Sequence, residues 1–171
     1  SRIILYFTVF PHLIAGPIVR YHQIKKQLVK RDARVGMIAQ GLYRFVVGLS
    51  KKVIIANTLA PIADEIFGMG PAHVSFGQAW LGVIAFGLQI YYDFSGYTDM
   101  AIGLGLMFGF KFPENFNYPY ISTSITEFWR RWHITLSSWL KDYLYYPLAL
   151  RWGRASKLKL YISLFITFVL I

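Results

Sequence analysis

From Ile66 to Tyr92 the chain carries no Asp, Glu, Lys or Arg. An uncharged apolar run of that length exceeds the about 20 residues a helix needs to cross a bilayer, so it predicts a membrane helix. A shorter, glycine-rich apolar run follows from Met100 to Phe110, and the polar stretch DFSGYTD separates the two. With Gly96 and two carboxylates between them, the runs are expected to break into a hairpin that returns Lys111 and the later basic residues to the cytoplasmic face. Upstream, Ile3 to Val19 is apolar but interrupted by Pro11, His12, Gly16 and Pro17, which predicts a bent or re-entrant segment. The basic stretch RYHQIKKQLVKRDAR, Arg20 to Arg34, is expected to be a cytoplasmic loop lying against anionic lipid headgroups. Met37 to Ala60 has helical periodicity, but Arg44, Lys51 and Lys52 would be costly at mid-bilayer. An interfacial helix ended by Pro61 is therefore expected.

Further along, Ser124-Ile125-Thr126-Glu127 has the spacing of a capping box, in which serine accepts from the Glu127 N–H and the glutamate reaches back. A single helix is expected from there to Pro147. On it Glu127 and Arg131 are four residues apart and suited to pair, and Trp129, His133, Leu136 and Leu140 share one face. KLYISLFITFVLI, at the end of the sequence, is too short to span.

Composition strengthens the membrane reading. Hydrophobic residues make up 56% and charged residues only 15% of the 171, with mean hydropathy +0.43, too apolar for an ordinary soluble domain. The net charge of +10 sits in clusters between apolar runs, which fits positive-inside topology rather than a nucleic-acid-binding stripe. With no cysteine, disulfides, thiolate metal sites and cysteine nucleophiles are excluded. The expected fold is all-α, a polytopic helical membrane protein, with residues 1–171 forming part of one transmembrane domain cut at both ends.

His133 has two readings. As a residue on an apolar helix face it is a packed core histidine beside anchoring tryptophans. As a titratable group in a low-dielectric cavity it is a general base for a hydroxyl or thiol. Asp93 and Asp99 are read as ion-pair partners for basic residues such as Arg130 or Arg131 ahead of a cation site, because six helical residues splay them apart. Asn115 and Asn117 are read as turn formers with funnel-lining as the alternative, His12 as packing, and His22 and His73 as loop residues. HExxH, P-loop and nucleophile-elbow motifs are absent from the sequence, which leaves zinc hydrolysis, phosphate cradling and hydrolase chemistry without support.

The blocks FPHLIAGPIVRY, LQIYYDFSGYTDMAIGLGLMFGFKFPENFNYPYI and SITEFWRRWHITLSSWLKDYLYYPL together resemble the membrane-bound O-acyltransferase family. The likeness is strongest to its bacterial polysaccharide-acetylating branch, that of the alginate O-acetyltransferase membrane subunit. The resemblance implies a many-helix protein of the bacterial inner membrane, with a funnel through which an acyl group leaves a cytoplasmic thioester. It also implies acetyl-coenzyme A as donor, no bound cofactor or metal, a periplasmic or secreted acetyltransferase partner and an extracytoplasmic polysaccharide acceptor. His133 matches one of the family's two functionally important histidines; the other belongs to a Trp-His-Gly motif that this sequence does not contain. Glu127, Arg130, Arg131 and Trp129 are then expected to fix the helix and attract the anionic donor, with Asn115, Asn117, Asp93 and Asp99 as supporting candidates. Acyl transfer of D-alanine to a cell-envelope polymer, a transporter segment and a non-catalytic anchor are the alternatives.

Overall fold

The structure, a computed structural model, describes residues 2–9, 16–30, 34–151 and 157–170. Pro11 and His12, at the centre of the expected bend, lie outside the described residues. Every regular element among the described residues is helical. The chain divides into two compact units, residues 1–113 and 114–171.

In the first unit, α1 (Arg2–Thr8) and α2 (Tyr21–Ile24) lead to α3 (Val35–Ser50), a π-helical turn (Lys51–Ala56) and α4 (Asn57–Gly68). The last three form one run of 34 residues, Val35–Gly68, long and apolar enough to cross a membrane. Pro61 does not end it as expected; it sits inside α4. A proline ring strikes the carbonyl four residues earlier, here that of Asn57, whose N–H closes the widened π turn on the Lys52 carbonyl. Backbone groups along the run are met locally, with the Ser50 and Thr58 hydroxyls donating to the Val46 and Ile54 carbonyls at 2.8 and 2.7 Å.

Packed on that run is α5 (Phe76–Met107), a single 32-residue helix. The hairpin expected around DFSGYTD is thus corrected: the stretch is mid-helix, because its two carboxylates and its glycine meet the run Val35–Gly68. Asp99 Oδ1 accepts from Arg44 Nη2 at 2.8 Å and its Oδ2 from Lys51 Nζ at 2.6 Å. Asp93 accepts from Lys52. Asp93 and Asp99 are therefore ion-pair residues as anticipated, but with Lys52, Arg44 and Lys51 as partners and not Arg130 or Arg131. The same pairing removes the objection to Arg44, Lys51 and Lys52 in a spanning run, since a neutralised cation no longer has to be hydrated.

Gly96 is a contact point rather than a break. A Cβ there would lie 2.7 Å from the Gly48 carbonyl oxygen, and one on Gly48 would lie 2.5 Å from that of Gly96. Seven residues away on each helix, Gly41 and Gly103 meet in the same manner, at 2.5 and 2.6 Å. Small residues at heptad spacing keep one seam in register along two antiparallel helices and let their backbones touch. Gly82, two heptads before Gly96, receives the Ile66 side chain. Large apolar residues such as Leu81, Val83 and Ile84 face outward, each more than half exposed. Glycine inside and aliphatics outside is the pattern of a helix pair whose surroundings are lipid.

The end of α5 is a Schellman motif. Gly109 takes a left-handed φ of 78°, its N–H donates to the Leu106 carbonyl and that of Phe110 to Gly105. The turn folds Phe112 onto Gly105 and completes a core of Val9, Val19, Ile24, Leu28, Ile102 and Phe110.

In the second unit a 3₁₀ turn (Pro119–Ile121) precedes α6 (Ile125–Arg131) and α7 (Ile134–Leu140). A π turn (Lys141–Tyr145), α8 (Tyr146–Arg151) and α9 (Lys157–Val169) follow. The single helix expected from Ser124 to Pro147 starts as expected but is corrected in its middle and at its end. It breaks at Trp132-His133, and Pro147 lies within α8, again with the carbonyl its ring would strike, Tyr143, inside a widened π turn.

Candidate functional site

The break between α6 and α7 places His133. Ser124 caps α6 as its spacing requires, its Oγ accepting from the Glu127 N–H at 3.1 Å. The return contact is one residue earlier than in a capping box: Glu127 Oε2 accepts from the backbone N–H and the hydroxyl of Thr123, both at 3.0 Å. Glu127 Oε1 accepts from Arg131 Nη2 at 2.8 Å, the expected pair one turn apart. These bonds from Thr123 and the Arg131 guanidinium hold the Glu127 carboxyl below its usual range, so it is an anion at neutral pH.

After Arg131 the backbone leaves the helix. Trp132 is extended and His133 is left-handed, with φ 42° and ψ 55°. That region costs a non-glycine residue about 1–2 kcal/mol, so neighbouring structure has to impose it. The source is the loop Asn115-Phe116-Asn117, running alongside. The Asn117 N–H donates to the Arg131 carbonyl at 2.9 Å, and Arg131 Nη1 donates to the Asn117 carbonyl at 3.1 Å. Phe116 meets the Trp132 indole edge-to-face, centroids 5.0 Å apart. The Ile134 N–H donates to the Asn115 carbonyl at 2.9 Å. Asn115 Oδ1 accepts from the Thr135 N–H and hydroxyl at 3.2 and 2.8 Å. His133 is thus suspended between two fixed points, Arg131 before it and Ile134-Thr135 after it.

Aromatic rings build the surroundings. Trp132 stacks on Phe128 at 5.6 Å and tilts against Tyr120 at 6.3 Å, while Trp129 packs edge-to-face on Phe168 at 5.3 Å. His133 is half-buried, and burial pushes its imidazole below the ordinary value of 6.5. Desolvation disfavours the imidazolium, so the ring is a neutral base at pH 7.

Of the residues singled out from sequence, His133, Glu127, Arg131, Trp129, Asn115 and Asn117 come together in this unit. Arg130 is exposed on α6, and Asp93 and Asp99 belong to the first unit in the ion pairs described above. The face Trp129-His133-Leu136-Leu140 does not exist, because the helix that would carry it is broken at His133. Asn115 is not a turn former either: it is 1% exposed and braces a helix start. Thr135, its partner, escapes a reading by motif. No short spacing links it to Asn115, which lies 20 residues earlier in the chain.

The sequence profile of the membrane-bound O-acyltransferase family matches residues 2–171. Among curated proteins, the chain is 53% identical over 165 residues to the Pseudomonas aeruginosa protein named "Probable alginate O-acetylase AlgI", covering 96% of this chain and 31% of that protein. It is 46% identical to a peptidoglycan O-acetyltransferase of Helicobacter pylori, covering 97% and 32%. With a teichoic acid D-alanyltransferase of Bacillus subtilis the identity is 31%, covering 84% and 37%. The chain spans about a third of the length of each of these relatives.

Proposed function

Because the chain belongs to the membrane-bound O-acyltransferase family, we propose that it is the part of an O-acetyltransferase that presents a general base, His133, to an acyl acceptor. The observation that carries this reading is the suspended histidine: a neutral, half-buried imidazole held in a strained backbone by bonds from both sides. Strained backbone persists where surrounding structure over-determines it, and such sites are concentrated at active centres.

In the proposed reaction a His133 ring nitrogen takes the proton of the acceptor hydroxyl as its oxygen bonds to the thioester carbonyl carbon. The carbon–sulfur bond breaks and the leaving thiolate is reprotonated. Acetyl-coenzyme A on the cytoplasmic side is the proposed donor and an extracytoplasmic polysaccharide, with a periplasmic or secreted acetyltransferase, the proposed receiving end. The names of the alginate and peptidoglycan relatives support acetyl as the group transferred and a glycan polymer as its acceptor. Glu127 and Arg131 are assigned to holding the loop, since their charges engage each other and Arg131 also bonds Asn117; Arg130, exposed, is assigned to attracting an anionic donor. We assign the whole protein to the bacterial inner membrane as a multi-pass protein.

The test is transfer of labelled acetyl from acetyl-coenzyme A to polysaccharide in inverted membrane vesicles carrying the whole protein and its periplasmic fraction. Label in polymer is the expected result, whereas solute uptake with no acylated polymer would favour a transporter. The likeness to the D-alanyltransferase supplies the one competing substrate, and a D-alanyl thioester in the same vesicles decides between them. The pH profile of the rate follows from burial of His133. The base form is the active one, so the rate is flat above the folded-state pKa and falls as pH drops through it. Burial lowers that pKa, so the acid limb is expected below 6.5. An acid limb above 6.5 would contradict a buried neutral imidazole as the base.

A further inference from the structure

His133 occupies the N-cap position of α7, yet its side chain makes no capping bond. An N-cap side chain ordinarily meets the backbone N–H groups of the first helical turn. Here those donors are met from elsewhere: the Ile134 N–H, the Thr135 N–H and the Thr135 hydroxyl all end on Asn115, whose oxygen lies 20 residues back along the chain from Thr135. We propose that Asn115 is a positioning residue for His133. It caps α7 in place of the histidine and fixes the left-handed backbone that carries the imidazole. The inference rests on the acyl-transfer reading of His133.

The Asn115 amide shows how strongly the brace is imposed. Two Thr135 donors require an acceptor, so its orientation is set with Oδ1 towards Thr135. Nδ2 is left buried with no hydrogen-bond partner among the described residues. An asparagine that served only to fill space would be replaceable by an apolar residue of similar size, and one that shaped an exposed turn would face solvent. Instead the side chain sacrifices its own donor to hold the two residues that follow His133.

The experiment compares Asn115→Ala, Asn115→Asp, Thr135→Val and His133→Ala in the whole protein, with acetyl transfer measured in vesicles and protein abundance measured in the same membranes. Asn115→Ala is expected to lower kcat by about 10- to 100-fold, the range of a roughly 1 Å misplacement, with KM for acetyl-coenzyme A unchanged. Asn115→Asp keeps an acceptor for both Thr135 donors and is expected to restore most of the rate. Thr135→Val keeps the backbone bond and loses the hydroxyl bond, so its kcat should fall less; it carries the test where Asn115→Ala does not accumulate, and wild-type kcat in it would then overturn the brace. Wild-type kcat in Asn115→Ala at normal abundance, beside an inactive His133→Ala, would overturn the positioning role alone. Losses that follow abundance equally in Asn115→Ala and Asn115→Asp would also overturn it. Activity in His133→Ala would instead remove the reading on which the inference rests.

Discussion

Replacing His133 by Ala or Gln in the whole protein is expected to abolish detectable polysaccharide acetylation while membrane abundance stays near normal. Loss of a general base removes about 10²- to 10⁴-fold of rate, and the bonds that fix the break at His133 are made by its neighbours. The bonds that define the break between α6 and α7 come from the backbone of Arg131 and Ile134 and from both groups of Thr135. A third variant sharpens the test. Glycine adopts the left-handed region at no steric cost, so His133→Gly releases the about 1–2 kcal/mol that the histidine spends on φ 42°. It is expected to be at least as stable as the wild type and as inactive as His133→Ala. A packed core histidine predicts the opposite ordering, in which Gly is the least stable of the three and activity follows protein level. Near-normal acetylation by any of the three at normal abundance would take His133 out of the chemistry.

The second large effect is on folding. Gly48→Ala and Gly96→Ala each place a methyl group against backbone, at 2.5 Å from the Gly96 oxygen and 2.7 Å from the Gly48 oxygen. Neither atom is the tip of a flexible side chain, so the helices have to separate. Overpacking of this kind costs about 1–3 kcal/mol, and the separation also stretches the Arg44–Asp99 and Lys51–Asp99 pairs. Against that stands the gain of about 1 kcal/mol for Gly→Ala within a helix, which is too small to reverse the sign. Gly36 and Gly77, with nothing within 4 Å of an added Cβ, isolate that gain. Gly36→Ala and Gly77→Ala are expected to be neutral or stabilising in thermal unfolding in detergent, and Gly48→Ala and Gly96→Ala clearly destabilising. The double substitution should cost less than the sum, because one displacement relieves both clashes. Equal melting temperatures for Gly48→Ala and Gly36→Ala would show that α3 and α5 do not touch through this seam.

What could be read from the sequence was what short spacing encodes. The Ser124 cap, the Glu127–Arg131 pair and the helical character of Met37 to Ala60 depend on residues within one turn of each other, and they stand in the structure, whereas the run from Ile66 to Tyr92 is divided between α4, which ends at Gly68, and α5, which starts at Phe76. The errors share a different cause. Gly96, Pro61 and Pro147 read as breaks because each disfavours an isolated helix, but a partner backbone at Gly48 and widened turns before the prolines outweigh that preference. His133 shows the converse. Its local sequence favours a continuous helix, and the interruption is imposed by Asn115, Phe116 and Asn117, which lie 14 to 20 residues away in the contacts they make. A distance of that order carries no periodic signal, and neither does the choice of Lys52, Arg44 and Lys51 as partners for the two aspartates.

The charge pairing between α3 and α5 also imposes an order on synthesis. Arg44, Lys51 and Lys52 leave the ribosome 55, 48 and 41 residues ahead of the carboxylates that neutralise them. An unpaired lysine or arginine at the centre of a bilayer costs about 2.5–3.5 kcal/mol on the scale of translocon insertion, and Asp93 and Asp99 carry a similar penalty without their cations. The cations of the run Val35–Gly68 are therefore neutralised only after α5 has been made, so the charge balance of either helix is a property of the pair.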